Sequence, residues 1–127
     1  MGNKASKNKI NLDTASRLDV ICRRGDTFNL VLDFNKSMPT SGWRMEVREV
    51  DTDDAAGEAD IEFTDSDITV SEGTESNSKV TIQKSSAIMQ AVASGLYVYD
   101  LQNTSNSTVK TYLYGTFKIN EDVTLSA

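Results

Sequence analysis

The chain has 127 residues, 38% of them hydrophobic, which is one domain's worth of sequence with enough apolar content to build a core without covalent staples. Thirteen basic against nineteen acidic residues leave a net charge of −6, a poor electrostatic match to nucleic acid over most of the surface. One cysteine and no histidine exclude an internal disulfide framework, a cysteine–histidine zinc site and histidine-based general base catalysis.

Residues 1–9 carry Lys4, Lys7 and Lys9 and no acid, and read as a flexible basic arm too polar to offset its own ordering. Residues 10–127 read as a single domain. From Ile10 onward the apolar residues recur with period two rather than 3.6. Leu18, Val20 and Cys22 alternate, and Arg24-Gly25-Asp26 then punctuates the chain as a turn, with glycine relieving the backbone and Asp26 placed to accept from turn amides. Phe28, Leu30, Leu32 and Phe34 follow at strict spacing two. Residues 35–42 hold the only proline and read as a loop. Trp43, Met45 and Val47 then alternate against Arg44, Glu46 and Arg48, a strand with one wet face.

A loop is expected over 51–58, short strands at Ile61–Phe63 and Ile68–Val70, a turn over 71–78 and a further strand around Val80 and Ile82. Residues 85–94 break the alternation. Ser85 or Ser86 is a candidate cap and Gly95 a stop, so one or two helical turns are expected there, plugging an end of the fold. Residues 96–102 are apolar on both faces and read as a central strand. Residues 108–119 form the longest strand candidate, with Val109, Thr111, Leu113, Gly115, Phe117 and Ile119 on one face and Lys110, Tyr112, Tyr114, Thr116 and Lys118 on the other. Gly115 marks a bulge or a close backbone approach. The sum predicts an all-β, antiparallel β-sandwich, immunoglobulin-like or related, with one short helix; a partly open barrel is the second choice.

The order CRRGDTFNLVLDF (22–34), WRMEVREV (43–50), GLYVYDLQ (95–102) and VKTYLYGTFKINEDVT (109–124) resembles the small β-sandwich modules of tailed bacteriophages, including the N-terminal domain of baseplate upper proteins. Those modules share an Arg-Gly-Asp-Thr-Phe turn, an R-x-x-V-R strand, a Gly-x-Tyr-x-Tyr-Asp-Leu-Gln strand and a Gly-x-Phe-x-Val ending before Asp-Val-Thr. The resemblance implies a virion part, in baseplate, tail, neck or head, that holds other proteins and performs no chemistry. Its implied partners are further copies of the chain and other virion proteins. The sequence stops soon after Thr124, where baseplate proteins continue into a coiled coil, so an accessory protein standing alone is expected.

Asp100 lies inside an otherwise apolar strand and needs a partner if buried; Arg44 and Arg48 are the candidates, and with Arg24, Gly25 and Asp26 they make up an expected scaffold of turn and polar contacts. Trp43, Tyr112 and Tyr114 are candidate contacts, either with a protein partner or with host-surface carbohydrate, the second functional reading. Arg24-Gly25-Asp26 also spells the integrin tripeptide, for which the turn is sufficient explanation. Asp51, Asp53, Asp54 and Glu58 around Gly57 offer hard oxygens to calcium but miss the EF-hand register, and read as a solvated acidic loop. Met1-Gly2 with Ser6 matches a myristoylation pattern, which keeps a lipid-anchored adaptor as a third reading. No glycine-rich nucleotide loop, other cofactor motif or activated nucleophile is present, and no apolar run approaches the roughly 18 residues of a membrane span or forms a secretory segment.

Overall fold

The computed structural model describes residues 15–49, 59–72 and 77–123. The alternating segments become strands that form two facing sheets. In chain order these are β1 (Ser16–Arg17), β2 (Val20–Arg23), β3 (Phe28–Phe34), β4 (Trp43–Glu49), β5 (Ile61–Phe63), β6 (Ile68–Glu72), β7 (Ser78–Lys84), β8 (Gly95–Ser105) and β9 (Thr108–Asn120), with a helix α1 (Ser86–Gln90) between β7 and β8. The larger sheet has the order β1-β9-β8-β4-β5, with β2 continuing the β1 edge along β9, and the smaller has the order β3-β7-β6. The chain crosses between sheets after β2, β3, β5 and β7, giving the all-β sandwich of immunoglobulin-like type.

The expectation of a wholly antiparallel fold needs one correction. β1 and β2 run parallel to β9, with Ser16 opposite Leu113 and Val20 opposite Phe117. A hairpin return would force an antiparallel pair, but the chain leaves β2 for the other sheet, so this edge is free of that constraint. The register is unbroken across Leu18 and Asp19, where regular pairing lapses. There Leu18 N–H donates to Tyr114 O at 2.9 Å, and the Asp19 carboxylate accepts from Thr116 N–H at 3.0 Å in place of a main-chain carbonyl.

The core follows the predicted alternation. Met45, Val47, Phe63, Val80, Ile82, Leu101 and Phe117 are fully buried between the sheets. Phe28 spans the two layers, with ring centroids 5.5 Å from Phe63 and 5.3 Å from Phe117. Each such side chain contributes about 1.5–3 kcal/mol by leaving water. The 35–42 loop also feeds the core: Met38 is buried, its N–H donating to Ser78 Oγ at 2.9 Å, and Pro39 O accepts from Trp43 Nε1 at 2.8 Å. α1 is capped by Ser85, whose side chain accepts from Ile88 N–H, and it drives Met89 fully into the sandwich end.

Two positions in β8 and β9 depart from simple alternation. Gly115 sits where a Cβ would collide with Leu18 O and lie 2.8 Å from Asp19 Oδ1, so its predicted role in a close approach holds. A register shift opposite Leu101 and Gln102 makes Tyr112 an extra residue in β9. The alternation expected over 108–119 therefore slips: Tyr112 packs inward beside Leu113, while Val109 is 59% exposed.

Candidate functional site

Arg24, Gly25 and Asp26 form the expected turn. Gly25 adopts φ +89°, and Asp26 N–H donates to Arg23 O at 3.1 Å, so Asp26 closes the turn through its amide and not through its carboxylate. Arg24 reaches across the sandwich end. Its Nε donates to Gln90 O at the end of α1 at 3.0 Å, and its guanidinium meets Glu121 at 3.4 Å. Arg23 donates to Glu121 O at 2.7 Å, and Ser94 Oγ donates to the Glu121 carboxylate at 3.2 Å. The arginines thus tie turn, helix and the end of β9 together, and Arg24 is engaged internally rather than displayed as an integrin ligand.

Arg44, Arg48 and Asp100 share the outer face of the larger sheet, but their pairing differs from expectation. Glu46 lies between the two arginines, bound to Arg44 at 2.6 Å and Arg48 at 2.7 Å, and Arg44 also binds Glu62 at 2.5 Å. The hydrogen bond from Arg44 outweighs partial burial and, with Arg48, holds the Glu46 carboxyl below its ordinary value. Asp100, on the neighbouring strand opposite Glu46, receives Gln102 Nε2 at 3.5 Å. Burial, then repulsion from Glu46, push its carboxyl above the ordinary range, while Arg48 acts on it from longer range. The reason is spacing: residues 44, 46 and 48 share one strand face, so the acid that reaches both arginines is on their own strand.

Trp43, Tyr112 and Tyr114 do not form one groove. Trp43 is only 2% exposed and stacks on Tyr112 at 5.4 Å, with Phe34 closing on Tyr112 at 6.0 Å. Tyr114 lies on the opposite face beneath Arg17 at 6.0 Å. The bulge at Tyr112 separates the two tyrosines, so the three rings do not line one platform. Tyr97 and Tyr99 do share the core face, with hydroxyls donating to Ala93 O at 2.7 Å and Leu18 O at 2.6 Å.

The predicted central strand β8 is central, yet two of its five apolar residues are uncovered by the described chain. Leu96 and Val98 point outward, and Ile21 stands on the same face across Lys118, in register with Leu96. Ile21 is 69% and Leu96 52% exposed. With Tyr114 they make a quadrant of apolar side chains interleaved with Lys118 and Thr116 on the outer face, beside the Arg44–Glu46–Arg48 lattice.

Sequence reasoning missed three polar anchors. Asp65 caps the start of β4, its two oxygens accepting from Gly42 N–H and Trp43 N–H, each at 2.9 Å. Asp67 accepts from Thr64 N–H at 3.0 Å and Lys84 Nζ at 2.9 Å, while that ammonium also stands 5.0 Å over the Phe63 ring. Burial raises the Asp67 carboxyl, but Lys84 and the Thr64 amide together hold it below its ordinary value. Asp19 is the third. A signal existed for Lys84, which falls on the inward phase of Val80 and Ile82, and none for Asp65, which sits in an unpatterned stretch. Burial, then Asp26, push the Cys22 thiol up to about 11, leaving it little thiolate at neutral pH.

A surface concavity of about 390 Å³ lies beside the end of β3, lined in part by Asp33, Phe34, Glu72 and Lys79. No cluster of metal-ligating side chains occurs among the described residues. The acidic loop of Asp51, Asp53, Asp54 and Glu58, the basic arm and the Met1-Gly2 pattern lie outside them. No described helix is long and apolar enough to cross a membrane.

No protein-family profile matches the chain, and no curated protein matches it. Among solved structures it is similar to CopC from Methylosinus trichosporium OB3b (12% identity, 77% of this chain and 80% of that one, TM-score 0.41). It is also similar to the extracellular fragment of novel immune-type receptor 11 from Ictalurus punctatus (8% identity, 86% and 87%, TM-score 0.32) and to the NK cell receptor Nkp44 (13% identity, 85% and 100%, TM-score 0.32). Likenesses this distant carry no argument about activity, and the fold stands on the strand pairing described above.

Proposed function

We propose that the protein is a non-enzymatic structural component of a tailed-phage virion, a β-sandwich that binds a neighbouring virion protein through the outer face of its larger sheet. The observation that carries the binding role is the quadrant of Ile21, Leu96, Val98 and Tyr114, apolar side chains in water on a flat sheet face flanked by fixed ion pairs. Exposed apolar side chains grouped on one sheet face among fixed charges suit contact with another protein. The virion assignment rests on the resemblance of residues 22–34, 43–50, 95–102 and 109–124 to phage modules; those residues supply β2, β3, β4, β8 and β9, which carry that face and the core behind it. Repetition on a symmetric particle lets modest single contacts hold.

The test is incorporation. Wild-type chain is expected in purified particles by mass spectrometry, and a Leu96→Asp, Val98→Asp double variant, folded by circular dichroism, is expected to be lost from them. Absence of the wild-type chain from particles overturns the virion role. Retention of the double variant at wild-type level overturns the assigned face.

A further inference from the structure

β3 is an edge strand. It pairs with β7 in unbroken register from Phe28 to Phe34, and no other described strand lies beside it. Among the described residues no hydrogen bond from outside that ladder reaches its main chain. Sheet edges of this kind are normally short, interrupted or blocked by proline, lysine or a bulge. Among the other edges, β5 has three residues, the β1–β2 edge is broken at Leu18 and Asp19, and β6, the opposite edge of the small sheet, has five. β3 has seven residues and none of these devices.

Its sequence has a further property. Phe28-Asn29-Leu30-Val31-Leu32-Asp33-Phe34 reads nearly the same in both directions. In an antiparallel pair centred on Val31, Phe28 meets Phe34, Leu30 meets Leu32, and Val31 meets Val31. The only polar pair is Asn29 with Asp33, an amide donor against a carboxylate, and no like charges are opposed. Asp33 is already accompanied by Lys79 at 3.3 Å. Leu30, Leu32 and Phe34 face the core side but are only half-buried, because the small sheet ends at β3.

We propose that β3 is a self-complementary docking edge whose occupant is β3 of a second copy of this chain, joining two small sheets into one six-stranded sheet about a two-fold axis at Val31. The chain's own N-terminal residues are a poorer fit. The described chain begins beside the Phe34 end of β3: Ser16 lies opposite Leu113, next to the tyrosine against which Phe34 packs. Before β1 only Met1, Ile10 and Leu12 carry large apolar side chains, against the five that a second β3 sets along the edge. A seven-residue strand contact is smaller than the roughly 1,200 Å² of a standard interface, so association in about the micromolar range is expected rather than an obligate dimer. This edge is separate from the outer face of the larger sheet, and the inference does not depend on the virion role.

The test uses the full chain in sedimentation equilibrium over a wide concentration range. Wild type is expected to dimerise. Val31 is exposed on the outer face, so Val31→Lys and Val31→Glu should each fold, place like charges about 5 Å apart across the axis, and weaken the dimer at least about tenfold. An equimolar mixture of the two variants should recover it. In wild type, hydrogen exchange at β3 amides should slow as concentration rises. A wild-type monomer up to millimolar concentration overturns the proposal, as does a dimer indifferent to both substitutions. β3 amides that are protected at every concentration in a monomer overturn it in favour of the chain's own N-terminal residues.

Discussion

Gly115 and Tyr99 lie opposite one another in β9 and β8, and both act on Leu18. The missing Cβ at 115 lets the Leu18 carbonyl approach, and the Tyr99 hydroxyl donates to that same oxygen. Burial, then the charge of Asp19, push the Tyr99 phenol up to about 12, so the donor persists at any physiological pH. Gly115→Ala forces the β1–β2 edge outward and is expected to cost about 1–3 kcal/mol, whereas Tyr99→Phe removes one hydrogen bond and should cost about 0.5–1.5 kcal/mol; urea unfolding of the two ranks them. Asp67 and Asp100 give opposite pH signatures. Asp67 is held low, so its contribution is complete above the unfolded carboxyl value near 3.9 and is lost as pH falls through its lower folded value. Lys84→Met should cost about 1–3 kcal/mol at pH 7 and progressively less as acidification protonates Asp67 in the folded state. Asp100 is held high, so ionising it opposes folding: the penalty is absent below the unfolded value and complete above the folded one. Asp100→Asn is therefore expected to raise the urea midpoint at pH 7 and leave it unchanged near pH 3.

Among elements, α1 acts as a plug. Met89 is its one buried side chain, and Met89→Ala should open the sandwich end at a cost of about 2–5 kcal/mol, read as a lowered melting temperature. The elements themselves were legible because period-two alternation survives wherever one face is buried, as at Trp43-Met45-Val47 and Ile61-Phe63. Two things were hidden. A single extra residue at Tyr112 reverses the facing of everything before it in β9, and no local signal separates a bulged tyrosine from an alternating one. Parallel pairing of β1 and β2 with β9 joins residues about a hundred positions apart, a fact of topology that no window of sequence contains. The turn at Arg24–Asp26 could be read from its glycine, but the destination of the Arg24 side chain could not, because Gln90 and Glu121 come near it only in three dimensions. The apolar outer quadrant was half visible: the double-faced 96–102 strand was read as central, and its outer residues prove to be exposed.

For the molecule as a whole, the two sheets divide the labour. The larger carries the apolar quadrant and the ion-pair lattice on its outer face, and the smaller carries the open, self-matching edge. Acidic residues crowd the middle of the chain, twelve against Arg48 alone over residues 46–76, so added salt is expected to raise the melting temperature by screening self-repulsion, measurable by differential scanning calorimetry. The parallel seam of β1 and β2 with β9 has a mechanical corollary. The first described strand starts at one end of the sandwich and the last finishes at the other, side by side and pointing the same way. Tension drawn between those two ends therefore loads the hydrogen bonds of the seam together, in shear, instead of peeling them one at a time. Pulled in an optical trap, the sandwich is expected to yield in one abrupt rupture, and Gly115→Ala, by prising the seam open, should lower the force at which it gives way.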